Sequence, residues 1–181
     1  MVKVIATMAA AHFLLSLTAS GETPPQPQQN WYEAEAQYVW YFPDYWGIAE
    51  AERHPVLVEC EEWEIEELVR TMYLEAGAES DECIRAVTDC TLNQLNSGFF
   101  GSTLHEVLAR PGNFDETFPY IWEKGEPSER VREIVMDVLV NGIGLPSRIM
   151  FFRNRYFHDM TWAIPEFATD NVYFSSSRWV Q

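Results

Sequence analysis

Glu75 is a side chain whose place on its helix would suit acid catalysis. On a helix running from Glu61 toward Gly77, Leu68 falls about 20° from it, Met72 about 60° and Ile65 about 80° at 100° per residue. Its carboxyl therefore borders the apolar stripe instead of facing open water. Partial desolvation raises a carboxyl pKa. A proton retained near neutral pH is what a glycosidic oxygen needs as it leaves. Taken alone the angle is a weak signal, because glutamates at the edge of an apolar stripe are common on structural helices. No arrangement of His, Cys and Asp has metal-ligand spacing, and no cofactor is expected. His158 and Tyr156 lie in a loop near the C-terminus, where a lone histidine is usually polar surface.

The elements that would carry Glu75 can be laid out from periodicity and caps. Acids at Glu61, Glu62 and Glu64 suit a helix N-terminus, and Ile65, Leu68, Val69 and Met72 recur at helical spacing until Gly77. Ser80 is an N-cap for a second helix, which carries Ile84, Val87, Thr91 and Leu95 on one face and ends at Asn96-Ser-Gly98. Thr103 and Glu106 have capping-box spacing for a short helix through Leu108, closed by Pro111-Gly112. A fourth helix starts near Pro127, carries Val131, Ile134, Val135, Val138 and Leu139, and stops at Asn141-Gly142. Two short runs, Ile149–Phe152 and Asn171–Phe174, have strand character, with about twenty irregular residues between them. Helices followed by a small antiparallel element predict an α+β fold.

Length and charge set outer bounds. A chain of 181 residues with 47% hydrophobic content has material for one substantial core with terminal extensions. Its formal net charge of −16 repels a phosphate backbone. Arg148, Arg153 and Arg155 are the sole basic cluster, so nucleic acid is not an expected partner. Anionic wall polymers would be repelled too, so binding to them would have to be short-range. Residues 1–21 read as a signal peptide: Lys3, an apolar stretch from Val4 to Leu17, then small residues through Gly21. The apolar stretch is too short for a comfortable membrane span, and no stable span is expected once it is removed. An amphipathic or buried N-terminal helix is the alternative. Residues 22–60 divide into a Pro/Gln-rich tether and an aromatic-rich stretch from Trp31 to Trp46, suited to packing on the main domain or to stacking on sugars. Cys83 and Cys90, on one helix about 10.5 Å apart along its axis, cannot bridge each other. A disulfide would need Cys60 with one of them; small buried thiols are the other possibility.

A family resemblance adds to this reading. Leu68-Val-Arg-Thr-Met-Tyr73-Leu-Glu75-Ala-Gly-Ala-Glu79-Ser80 resembles the Y-x-E-A-x-G-E motif of the SleB-like, spore-cortex-lytic cell wall hydrolases, with Gly77-Ala78 in a shifted order. Ala86-Val87 and Leu92-Asn93 are similar to the family helix A-V-x-x-V-x-x-N-R. Ser97-Gly98-Phe99 leads into Thr103-Leu-His-Glu-Val107, and Arg110-Pro-Gly-Asn-Phe114-Asp115 resembles the Q-P-G-Q-F-S/D turn. Met150-Phe-Phe152 and Asn171-Val-Tyr-Phe174 resemble its closing strands. The motifs run in order from about residue 62 to 175, within a domain placed at 61–181. Gln94, Asn113 and Asn171 depart from the pattern, standing where the family usually has arginine, glutamine and often histidine.

The resemblance implies a mainly helical, lysozyme-like fold akin to lytic transglycosylases, with Glu75 as the catalytic acid. Its partner would be the glycan strand of peptidoglycan, cut between N-acetylmuramic acid and N-acetylglucosamine by an exported, wall-associated enzyme. In the transglycosylase route the muramyl 6-hydroxyl closes on C1, and deprotonated Glu75 takes its proton. Hydrolysis needs a second carboxylate, about 5–5.5 Å away for retention or 6.5–9.5 Å for inversion. Glu79 and Asp115 are the candidates, although Glu79 equally suits a helix-start charge and Asp115 its own turn. Tyr73 and Phe114 offer flat rings for a sugar groove or for core packing, and Asn93 would orient substrate or cap a backbone group. The competing function is a wall-glycan-binding module whose chemistry was lost with the three departures.

Overall fold

The computed structural model describes residues 45–49, 53–154 and 163–177. The segments read as a signal peptide and a tether, most of the aromatic stretch, and Arg155, Tyr156 and His158 lie outside the described residues.

The domain is α+β, with helices α1 (Tyr45–Ile48), α2 (Glu62–Ala76), α3 (Asp81–Ser97), α4 (Leu104–Leu108) and α5 (Glu129–Asn141). Strands β1 (Ile149–Asn154), β2 (Ala163–Thr169) and β3 (Val172–Ser177) follow them. The Ser80 and Thr103 caps read from sequence are formed, and Glu61 caps the first long helix as well. Glu61 N–H donates to Glu64 Oε2 at 3.0 Å, and Ser80 Oγ accepts from Cys83 N–H at 3.2 Å. Gly98, at φ 66°, ends α3 in the left-handed region that glycine enters without steric cost. The fourth helix starts later than expected: Ser128 is its cap, and Pro127 precedes it.

α3 is the central helix. Every residue from Cys83 to Leu95 except Arg85 is buried, and it packs against α2, α4, α5 and β1. Its buried threonines, Thr88 and Thr91, bond back to the carbonyls of Ile84 and Val87, each at 2.8 Å, so no hydroxyl is stranded. Leu68, Val69 and Met72 of α2 and Val131, Val135 and Val138 of α5 close the core around it.

The sheet order is β1-β3-β2, antiparallel throughout. β3 is the central strand, and Phe174 faces Phe152 on one side and Phe167 on the other. β2 falls within the stretch read as irregular. Pro165 breaks its apolar pattern, and proline is tolerated there because β2 is an edge strand with a bulge between Pro165 and Phe167.

Packing extends upstream of residue 61. Tyr45 is in the core, and residue 54 pairs with 143 through His54 N–H to Ile143 O at 3.1 Å and the return bond at 2.8 Å. Of the aromatic stretch, Tyr45 packs inward and Trp46 remains exposed with its ring edge-on to Tyr45. All three cysteines are free. Cys83 and Cys90 are buried together on α3, and burial pushes the Cys83 thiol up to about 12. Among the described residues no helix is long and apolar enough to cross a membrane.

Candidate active site

Glu75 sits in the last turn of α2, half-buried, on the wall of a cavity of about 550 Å³. Four parts of the fold make that cavity: the end of α2 through Glu79, the Gln94 face of α3, the Arg110–Asn113 turn, and the sheet. The sheet contributes Phe151 to Asn154 of β1, Ala163 of β2, and Asn171 to Val172 and Ser175 around β3. Burial pushes the Glu75 carboxyl above its ordinary range. A hydrogen bond from Thr117 Oγ1 to Glu75 Oε1 opposes the rise, and the neighbouring charge of Glu116 adds to it. The arrangement presents a protonatable acid to an enclosed trough, as proton donation to a leaving oxygen requires.

Glu79 lines the same cavity just beyond the helix end. The adjoining hairpin is held in place by Asp170, whose Oδ2 accepts from Ser80 N–H at 3.1 Å and from Ser80 Oγ at 2.7 Å. Asp170 has φ 51°, a conformation aspartate tolerates better than most residues. The tip of the β2–β3 hairpin is thereby tied to the start of α3, with Asn171 on the cavity wall.

The other residues picked from sequence lie behind that wall. Phe114 is in the core with its ring 5.8 Å from that of Phe152. Asp115 Oδ2 accepts from Gly112 N–H at 2.8 Å. Both therefore support residues that line the cavity and do not line it themselves. Asn93 is buried and donates from Nδ2 to the carbonyls of Pro146 and Ile149, each at 3.0 Å, so it caps backbone. Tyr73 is half-buried against the core.

All three departures from the family motif, Gln94, Asn113 and Asn171, line the cavity. Gln94 and Asn113 form a reciprocal amide pair: Asn113 Nδ2 donates to Gln94 Oε1 at 2.8 Å, and Gln94 Nε2 to Asn113 Oδ1 at 3.3 Å. Gln94 Nε2 also donates to Met150 O at 2.7 Å, joining α3 to β1. Thr117, Phe100 and Phe151 are site residues that sequence alone did not mark. The Thr117 contact bridges 42 residues, and no local pattern announces it.

No family model and no curated protein matches the sequence. Among solved structures, the catalytic domain of the Bacillus cereus SleB protein superposes with a TM-score of 0.54. The match covers 70% of this chain and 100% of that one, at 18% identity. The domain is SleB-like in fold. In this SleB-like domain, Glu75 and the three departures meet at one trough formed where the helices adjoin the closing sheet.

Proposed function

We propose that this domain cleaves peptidoglycan between N-acetylmuramic acid and N-acetylglucosamine, with Glu75 as general acid. The observation carrying this is a half-buried carboxyl, its pKa raised by burial, on the wall of a sugar-sized trough in a SleB-like fold. Glu75 protonates the glycosidic oxygen as the C1–O bond breaks, leaving an oxocarbenium-like sugar. In the transglycosylase route the muramyl 6-hydroxyl closes on C1 and gives its proton to Glu75, now a base. In the hydrolytic route water attacks instead, and Glu79, on the same cavity, is the second carboxylate. The apolar leader read from residues 1–21 fits export to the wall. The net charge of −16 leaves affinity to short-range contacts inside the trough.

Purified protein incubated with sacculi is expected to release soluble muropeptides. Mass spectrometry then separates the routes, since transglycosylation gives 1,6-anhydro ends and hydrolysis gives reducing ends. Absence of both products overturns the proposal.

Thr117→Val tests how the acid is tuned. It removes the hydrogen bond that lowers the Glu75 pKa and keeps the side-chain volume. The alkaline limb of the kcat/KM profile, where the acid loses its proton, is expected to move to higher pH. A limb that stays in place would dissociate Glu75 from that titration.

A second function draws on the clustering of Gln94, Asn113 and Asn171 on the cavity: a glycan-binding module with impaired chemistry. Co-sedimentation with sacculi without loss of turbidity on prolonged incubation would favour it.

A further inference from the structure

The distribution of arginines carries information that the glycosidase chemistry does not use. Arg53, Arg70, Arg85, Arg130, Arg132 and Arg148 each pair with a carboxylate. That is expected in a chain where 28 acids outnumber 12 bases. Among the described residues Arg110 and Arg153 form no ion pair, and both line the cavity.

They also share one wall. Arg110 Nη1 donates to the carbonyls of Phe99 and Phe100 at 3.2 and 3.1 Å, and its guanidinium lies 5.3 Å from the centre of the Phe100 ring. The Phe100 ring in turn packs edge-on against Phe151 at 5.6 Å. Phe151 and Arg153 are two residues apart on β1, hence on the same strand face, about 7 Å apart. The Phe100–Phe151 pair thus links Arg110 to the strand face that carries Arg153. Arg110 is fixed by one nitrogen, which leaves the rest of its fork for a ligand. Arg153 is exposed and without a carboxylate. An unpaired guanidinium beside apolar rings binds a planar carboxylate strongly, through charge-assisted and often bidentate hydrogen bonds.

We infer that the Arg110–Arg153 wall is a carboxylate subsite, which reads an acid group on the muramic-acid residue of the substrate and so sets which glycosidic bond lies across Glu75. The inference rests on the glycan reading of the cavity. The acid has two possible sources on that sugar, the free lactyl carboxylate or the peptide stem attached to it, and both present the same group.

The test uses binding, so that turnover is not needed. In a Glu75→Gln background, calorimetry compares three soluble tetrasaccharides of alternating N-acetylglucosamine and N-acetylmuramic acid. The first has free lactyl carboxylates, the second has them converted to methylamides, and the third carries stem peptides. Adding Arg153→Gln is expected to weaken binding of an acid-bearing ligand roughly tenfold and leave the methylamide unchanged. Arg153→Lys, which keeps the charge, is expected to recover most of the loss. Whichever of the first and third ligands shows the tenfold effect names the source of the acid. Equal binding of acid and amide, or equal loss for both on Arg153→Gln, overturns the subsite and leaves the glycan reading standing. If none of the three ligands binds, the glycan reading fails and the subsite with it.

Discussion

Glu75→Gln is expected to reduce muropeptide release from sacculi by a factor on the order of 10²–10⁴, the range that a positioned general acid supplies. The loss should fall on kcat, with KM nearly unchanged, because the proton is needed only as the bond breaks. Glutamine is isosteric, and its carbonyl still accepts from Thr117 Oγ1, so the thermal midpoint should hold or rise slightly. A rise has a physical reason: burial disfavours the charged carboxylate at this position, and glutamine carries no charge. A Glu75→Gln protein that digests sacculi at the wild-type rate would remove Glu75 from the mechanism. A protein that loses both activity and its cooperative melt would point to a structural role instead.

The second large effect is on stability. Asp89 is fully buried on α3, and its Oδ2 accepts from Tyr45 Oη at 2.7 Å, Gly144 N–H at 3.1 Å and Leu145 N–H at 3.0 Å. One carboxyl oxygen thus joins α1, α3 and the segment leading to β1. The packing there is tight: a Cβ on Gly144 would lie 2.5 Å from Tyr45 Oη. Asp89→Ala strands three buried donors and is expected to cost on the order of 4 kcal/mol in urea unfolding.

Asp89→Asn should cost less, and its cost should depend on pH. Burial pushes the Asp89 carboxyl from 3.8 up to about 6, opposed by its three donors and by the charge of Arg85. Between those values the folded chain holds a proton that the unfolded chain has released. The contribution of this group to stability is therefore greatest below pH 3.8 and is lost as pH rises through about 6. Asp89 Oδ1 and Asn93 Oδ1, one helical turn apart, are both buried without a hydrogen-bond partner. Asparagine does not titrate, so the stability gap between wild type and Asp89→Asn should narrow from pH 5 to pH 7. A gap that is constant over that interval would contradict the raised pKa.

The helical half of the fold was legible because its signals are local. Glu61, Ser80 and Thr103 stand at helix starts, Gly98 stands at an end, and apolar residues recur at helical spacing between them. Glu75 was legible for the same reason, since its place beside Leu68 and Met72 is fixed within one helix. β2 was not, because Pro165 interrupts its pattern and its identity as a strand comes from pairing with β3. The roles of Phe114, Asp115 and Asn93 also depended on contacts across the fold. Their residue types suited a groove, and what decides between groove and support is which neighbour reaches the open side. In the Phe114–Phe152 and Asp115–Gly112 contacts, the second partner does. Asp89 drew no attention in the sequence because an aspartate inside an amphipathic helix carries no sign that Tyr45 and Gly144 converge on it.

The order of strands in the sheet bears on how the trough comes into being. β1 and β2 do not pair with each other, and each finds its strand partner in β3, which follows both in the chain. The closures that build this wall are short in the chain, since β2 and β3 are joined across the Asp170–Asn171 turn, whereas the helices α2 and α3 meet α5 only across the long segment between Ser97 and Glu129. The sheet can accordingly form by local closure, and the chamber that shelters the acid exists only once that sheet has docked against the helix bearing Glu75.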